Sequence, residues 1–242
     1  MLINDLECWE RFSNKQSNYL GIDWPGNLPK FRPKGWWENY PVQNFNYQFN
    51  EWGFRGPDYS EYVDKPVNIC LGDSFTVNIG GPIEHSWPSQ LDELLDLPTI
   101  NLGVGGAGND AIHLVYNRAC EVFDVQNIFV MYSFFHRRLV GNKISQYGGG
   151  MYKSSPILSA PLYTDVENFQ HFVDHMIPES YEAHIPPWCY SYEEMEMIPF
   201  YQHYVYPDGG RDKWANRDYQ HMNKELNGKL AEYYYELFST NT

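Results

Sequence analysis

Cysteine is scarce in this chain, basic residues are outnumbered, and no long apolar run occurs. The four cysteines, Cys8, Cys70, Cys120 and Cys189, stand singly and far apart. That spacing argues against a disulfide framework and against a Cys-x-x-Cys zinc site, and they read as reduced thiols of a cytoplasmic protein. Lys and Arg total 17 against 31 Asp and Glu, a formal net charge of −14. So acidic a chain repels phosphate backbones, which argues against nucleic acid and anionic membrane surfaces as partners. The longest apolar candidate, Ile128 to Phe135, has eight residues, far short of the roughly 20 that a membrane helix needs. The opening residues, MLINDLECWERF, show neither a basic segment nor an apolar one, so no secretory signal is expected. No fixed-period repeat is present, which argues against a solenoid or a propeller.

What the chain has in excess is aromatic rings, 17% of its residues, of which 20 are Tyr. They are unevenly spread. Five of the eight Trp fall in residues 1–66, among Pro, Gly and Asn, and six Tyr with Trp188 and Phe200 fall in 181–206. Neither segment has clean periodicity. They read as irregular chain pinned to a core by rings, or alternatively as a substrate-binding wall.

Regular patterning begins at Val67. Val67 to Leu71 is a short β-rich run ending in Gly72-Asp73-Ser74, a strand entering a turn. Ser86 is placed to cap a helix with Trp87-Pro88 in its first turn and Leu91, Leu94 and Leu95 on one face. Thr99 to Leu102 is a second strand, followed by Gly103-Val-Gly-Gly106-Ala-Gly108. Asn109 or Asp110 can cap the next helix, whose apolar stripe is Ile112, Val115, Tyr116, Ala119 and Phe123. Asn127 to Ser133 is a third strand, apolar on both faces as buried parallel strands are. Strand and helix in alternation predict βαβ units and a parallel sheet. Residues 1–66 are then an aromatic-rich N-terminal segment packed on a domain of residues 67–242. That domain carries an irregular aromatic insertion at about 141–210, with one helix near 166–175 and a last helix at about 223–238.

Ser74 lies on the turn after the first strand, at the carboxyl edge of a parallel sheet, where α/β proteins place their sites. A serine nucleophile needs a base, and the base needs an orienting acid. Asp218-Tyr-Gln-His221 supplies both within one turn, just before the last helix. Taken together, Gly72-Asp73-Ser74-Phe75-Thr76, Asn101-Leu-Gly-Val-Gly-Gly106 and Asp218-x-x-His221 resemble the blocks of the SGNH hydrolases, also called the GDSL family. Ala231, ten residues past the His, fits the same pattern, as do Trp87-Pro88, Leu91 and the lead-in Asn50-Glu-Trp-Gly53-Phe54-Arg55-Gly56. The resemblance covers roughly residues 50–140 and 210–238. It implies a three-layer α/β/α, flavodoxin-like fold without a cofactor. It also implies Ser74 as nucleophile, His221 as general base within about 3 Å of it, Asp218 as its orienter, and the N–H groups of Ser74 and Gly106 as an oxyanion hole.

The resemblance fails at the third block, Gly-x-Asn-Asp, whose Asn should follow the third strand. Ser133-Phe-Phe-His136-Arg137-Arg138 stands there instead. Asn109 and His136 are candidate replacements as oxyanion donors, and Asn109 is equally a helix cap. Two other patterns compete for attention. Gly103-x-Gly105-x-x-Gly108 matches the dinucleotide fingerprint, but the following strand lacks the acidic residue that reads a ribose. His171 and His175 lie one helical turn apart, as metal ligands can, yet no third ligand is indicated and a wet helix face is the expectation. The expected function is cleavage of an ester, a carbohydrate O-acyl group or a small acyl ester, through an acyl-enzyme, with acyl transfer sharing the same site. The alternative is a catalytically weak scaffold for carbohydrate binding or for a structural role in an assembly.

Overall fold

The computed structural model describes residues 13–21, 23–24, 33–135, 137–140, 143–146, 165–184, 210–218 and 220–241. Residues 16–17 (β1) and 47–48 (β2) pair as a minimal antiparallel ladder, with the short helix Trp36–Asn39 (α1) between them. Among its described residues the N-terminal segment is therefore mostly irregular chain. Buried Tyr47, Phe54 and Tyr59 nonetheless anchor it.

The sheet begins with β3, Pro66–Gly72, followed by a one-turn helix, Ser74–Val77 (α2). Helix α3, Trp87–Asp92, is capped by Ser86, whose hydroxyl accepts from Ser89 N–H. It stops before Leu94, which is exposed, while Leu95, past the helix end, still packs against the core as expected. Strand β4, Thr99–Asn101, leads to α4, Asn109–Val122, and then to β5, Asp124–Tyr132. A hairpin of Arg137–Val140 (β6) and Lys143–Gln146 (β7) follows. Helix α5 is Asp165–Val173, and β8 is Tyr181–His184. The chain closes with α6, Gly210–Trp214, and α7, Lys224–Asn241.

Four strands form one all-parallel sheet in the order β4-β3-β5-β8. Counted along the chain this is 2-1-3-4, the start of the flavodoxin-like order. The fourth strand lies in the stretch whose sequence reads as irregular. Its short run Tyr-Glu-Ala-His has no alternation to announce it, and Tyr181 is held by stacking on Phe129, with ring centroids 5.0 Å apart.

Side-chain alternation along the strands splits the core in two. Val67, Ile69, Leu71, Val130 and Tyr132 face Ala111, Ile112, Val115, Ala119 and Phe172 on α4 and α5. Cys70, Phe129 and Met131 face Trp87, Leu91, Leu226, Leu230 and Tyr234 on α3 and α7. Helices thus cover both faces, and the fold is α/β with a parallel sheet between two helical layers. Among the described residues no helix is long and apolar enough to cross a membrane.

Candidate active site

β3 and β5 are neighbours, but the chain leaves β3 toward β4 on one side and leaves β5 toward β8 on the other. Such a switch point opens a crevice at the carboxyl ends of the two strands. Ser74 stands there, half-buried, as the first residue of α2. Asp73 caps that helix: its Oδ1 accepts from Phe75 N–H at 3.0 Å. Its Oδ2 accepts from Ser133 Oγ at 2.8 Å and from Arg137 Nη1 at 2.6 Å. The residue before the serine is therefore a buried carboxylate tied to the segment that follows β5.

Asp218 and His221 lie on the turn between α6 and α7, and both are buried. Asp218 Oδ1 accepts from the N–H groups of Gln220 and His221, each at 3.0 Å. Its Oδ2 is hydrogen-bonded to His221 Nδ1. An acid bonded at Nδ1 leaves Nε2 as the nitrogen that can exchange a proton. The imidazole packs on Phe75, the residue after Ser74, with ring centroids 4.6 Å apart. Ser74 Oγ and His221 Nε2 make no hydrogen bond to each other or to any other described residue. The expected contact at about 3 Å is thus not formed. Among the described residues Arg55 Nε is the one buried side-chain nitrogen or oxygen without a partner.

The loop after Ser74 is held from three sides. Arg55, from the Asn50–Gly56 lead-in, donates from Nη1 to the carbonyls of Val77 and Asn78 at 2.9 and 2.7 Å and from Nη2 to that of Gly81 at 2.8 Å. Burial pulls its guanidinium down to about 10. Asn78, in the left-handed conformation that ends α2, accepts at Oδ1 from the amides of Asn216 and Asn227. Gly80, at φ +85°, donates to Tyr47 hydroxyl, and a Cβ there would lie 2.9 Å from Asp218 Oδ1. Its lack of a side chain is what lets the Ser74 loop and the Asp218 turn approach.

The 215–221 turn is clamped from the N-terminal segment. Trp36 Nε1 donates to Asn216 carbonyl at 3.2 Å, and Tyr40 hydroxyl donates to Asn216 Oδ1 at 3.0 Å. Burial and, secondarily, the negative charge of Asp218 push the Tyr40 phenol up to about 12. Arg217 forms a buried two-pronged pair with Asp23, with the Nε arm at 2.9 Å. Its guanidinium lies over Phe45 and Trp37, 4.2 and 5.0 Å from their ring centroids. Asp23 also accepts from Tyr47 hydroxyl at 2.6 Å.

Gly106 lies in the β4–α4 turn at φ +85°, and a Cβ there would meet nothing within 4 Å. Neither its N–H nor that of Ser74 finds a hydrogen-bond partner among the described residues. Asn101 ties this turn to α2, donating to Thr76 carbonyl at 2.9 Å and accepting from Gly103 N–H at 2.9 Å. Asn109 does neither of the things expected of it. Gly108 holds the capping position of α4, and in the first turn it is Asp110 whose Oδ1 accepts from Ala111 N–H at 2.7 Å. The Asn109 side chain is buried and paired reciprocally with the Ser133 backbone, donating to its carbonyl at 2.9 Å and accepting from its N–H at 2.8 Å. A side chain so engaged braces the chain after β5 rather than an oxyanion. His136, Trp188 and most of the 181–206 aromatic segment lie outside the described residues.

Two glycines of the dinucleotide-like pattern serve close packing: a Cβ at Gly103 would lie 2.8 Å from Thr76 Cβ, and one at Gly108 2.5 Å from Arg137 carbonyl oxygen, whereas one at Gly105 would meet nothing within 4 Å. His171 of α5 and His175, two residues past its end, are half-buried rather than fully on a wet face. His171 Nε2 meets Asp110 Oδ2 at 3.0 Å, and its ring packs, tilted, against that of His175 with centroids 4.3 Å apart. Among the described residues no group of three His, Cys, Asp or Glu side chains is arranged to hold a metal ion.

Sequence reasoning missed Arg55, Asn78, Asn216, Arg217, Asp23 and Arg137. Only Arg55 carried a signal, inside the lead-in block. The others are polar residues whose partners lie far off in the chain. No family model and no curated protein matches this sequence. Among solved structures, a candidate lipolytic protein of the G-D-S-L family from Desulfitobacterium hafniense DCB-2 is similar at 15% identity and a TM-score of 0.37, over 71% of this chain and 98% of that one. That likeness is a distant one of fold, and the reading of the site rests on the chain's own geometry.

Proposed function

We propose that the protein is a serine ester hydrolase of the SGNH type, acting on a carbohydrate O-acyl group or a small acyl ester. The observation that carries this is the buried Asp218–His221 pair, oriented through Nδ1 with Nε2 unpartnered among the described residues, and packed on Phe75 beside Ser74. Ser74 Oγ bonds to the ester carbonyl carbon as His221 Nε2 takes its proton, and the leaving alcohol receives that proton as its C–O bond breaks. Water, or an acceptor alcohol in acyl transfer, releases the acyl group by the same steps reversed in role. Asp218 keeps its negative charge throughout and stabilises the imidazolium. A substrate that brings Ser74 Oγ and His221 Nε2 into contact completes the relay, since such bonds tighten on binding.

Fluorophosphonate labelling tests this. The folded protein is expected to gain one adduct, located at Ser74 by mass, and Ser74→Ala to gain none. Equal labelling of both proteins, or none of either, removes the hydrolase reading. A second reading, a carbohydrate-binding scaffold, is favoured by one feature. A cleft of about 500 Å³ between α1 and residues 213–223 is walled by Trp36 and Tyr40, with Lys213 and Asn223 at its polar side. Glycan binding abolished by Trp36→Ala in a protein that resists the probe is the outcome that reading predicts.

A further inference from the structure

We propose that Arg137 is a third, positively charged donor to the oxyanion that forms when Ser74 attacks an ester. The inference rests on the hydrolase reading above and names the residue that does the work of the absent Asn.

Arg137 reaches both turns that frame the attack. Its carbonyl oxygen lies against Gly108, where a Cβ would come within 2.5 Å, so its backbone packs on the turn that carries Gly106. Its side chain crosses to the other turn, where Nη1 donates to Asp73 Oδ2 at 2.6 Å, one residue before Ser74. Nη1 also meets Ser133 Oγ at 3.1 Å. Both hydrogens of Nη1 are thus engaged. A guanidinium has five N–H groups, and those on Nη2 and Nε remain. They have no hydrogen-bond partner among the described residues, and the side chain is 17% exposed.

An anchored guanidinium with a free edge is preorganised. The Asp73 pair fixes one end, and the Phe134 ring covers one flat face, 4.7 Å from the central carbon. Its orientation therefore costs little at the moment of reaction, which is the property an oxyanion donor needs. Asp73 is fully buried and satisfied through Nη1, so serving as its counter-ion does not use the free edge. In the step itself Ser74 Oγ bonds to the carbonyl carbon, the C=O π pair moves onto oxygen, and the Ser74 proton passes to His221. The guanidinium donates hydrogen bonds to that oxygen and gives up no proton. When the pair returns to re-form C=O, the bond to the leaving alcohol breaks and His221 supplies its proton.

The test uses Arg137→Ala and Arg137→Lys in the full chain, with a neutral aryl acetate, fluorophosphonate labelling and melting temperature. Arg137→Ala is expected to lower kcat by roughly 10²–10³ with KM nearly unchanged, the size seen when one oxyanion donor is lost. Arg137→Lys keeps a cation for Asp73 and should keep the melting temperature. A compact ammonium cannot serve Asp73 and the oxyanion together, so kcat should still fall by about tenfold or more. That second variant decides the matter if the alanine protein does not fold. A lysine variant as active as the wild type makes Arg137 the counter-ion of Asp73 only and overturns the proposal. So does an alanine variant whose kcat on the neutral ester holds while KM rises for esters with a carboxylate on the acyl group, since that marks ground-state anion binding. In both cases the wild type still labels at Ser74 and the hydrolase reading survives. A folded wild type that neither labels nor turns over ends both.

Discussion

Asn109 illustrates how one side chain changes meaning with its surroundings. In the sequence it sits three residues past Gly106 at a helix start, where an amide can cap the helix or reach an oxyanion. In the fold it is first in α4, wholly enclosed, and opposite the end of β5, so its amide closes both backbone groups of Ser133. Asn109→Ala leaves a buried N–H and a buried C=O without partners. Each orphan costs about 1–3 kcal/mol. The variant should therefore lose about 2 kcal/mol or more of stability in urea, and its kcat, measured below the new transition, should stay within a few-fold of the wild type. A variant with normal stability and a large kcat defect would return Asn109 to the oxyanion.

At the scale of elements, α2 and the turns around it were partly legible. Gly72-Asp73-Ser74 ends β3 as its composition predicts, Ser86 caps α3, and the 3.6-residue stripe of α4 is buried at Ile112, Val115 and Ala119, with Tyr116 half-buried and Phe123 just past the helix end. These signals are local: a cap needs one side chain, and a stripe needs only its own helix. The fit between the Ser74 loop and the Asp218 turn was not legible, because it depends on residues 138 positions apart, Asn78 and Asn216. Gly80 is where the two meet. Gly80→Ala places a methyl carbon 2.9 Å from Asp218 Oδ1 and 3.0 Å from Asn216 Cβ at a φ of +85°. A left-handed non-glycine residue alone costs about 1–2 kcal/mol. The clash adds displacement of Asp218. Activity in Gly80→Ala should therefore fall further than melting temperature alone accounts for, while Gly106→Ala, which meets open space, should pay only the backbone strain. Equal effects of the two substitutions on kcat would show that Asp218 tolerates the shift.

Across the whole molecule, the aromatic N-terminal segment is part of the site's support. Asp23 and Arg217 are both buried, and they join that segment to the residue beside Asp218. Removing one partner of a buried pair strands the other charge, at a cost of about 3–5 kcal/mol. Asp23→Ala should therefore lower the unfolding free energy, read from denaturant titration, by that amount. Replacing both residues with apolar ones of similar volume should recover much of the loss, since paired burial of charge is itself expensive. A single variant that melts like the wild type would mean that water reaches Arg217 when Asp23 is gone.

The sequence by itself determined the class of the fold and the order of its core elements. Strand alternation, helix stripes and capping residues are short-range patterns, and burial on two faces of a parallel sheet follows from them. It also determined which residue types stand at Ser74, Asp218 and His221. Only the tertiary structure decided that Tyr181–His184 is a strand, because four residues acquire that identity from pairing with β5. Only the tertiary structure brought Arg137 to Asp73, Arg55 to the carbonyls after Ser74, and Arg217 to Asp23. Each of these is a charged side chain whose partner lies tens of residues or more away. No local pattern encodes such a pair, and burial is what makes it specific.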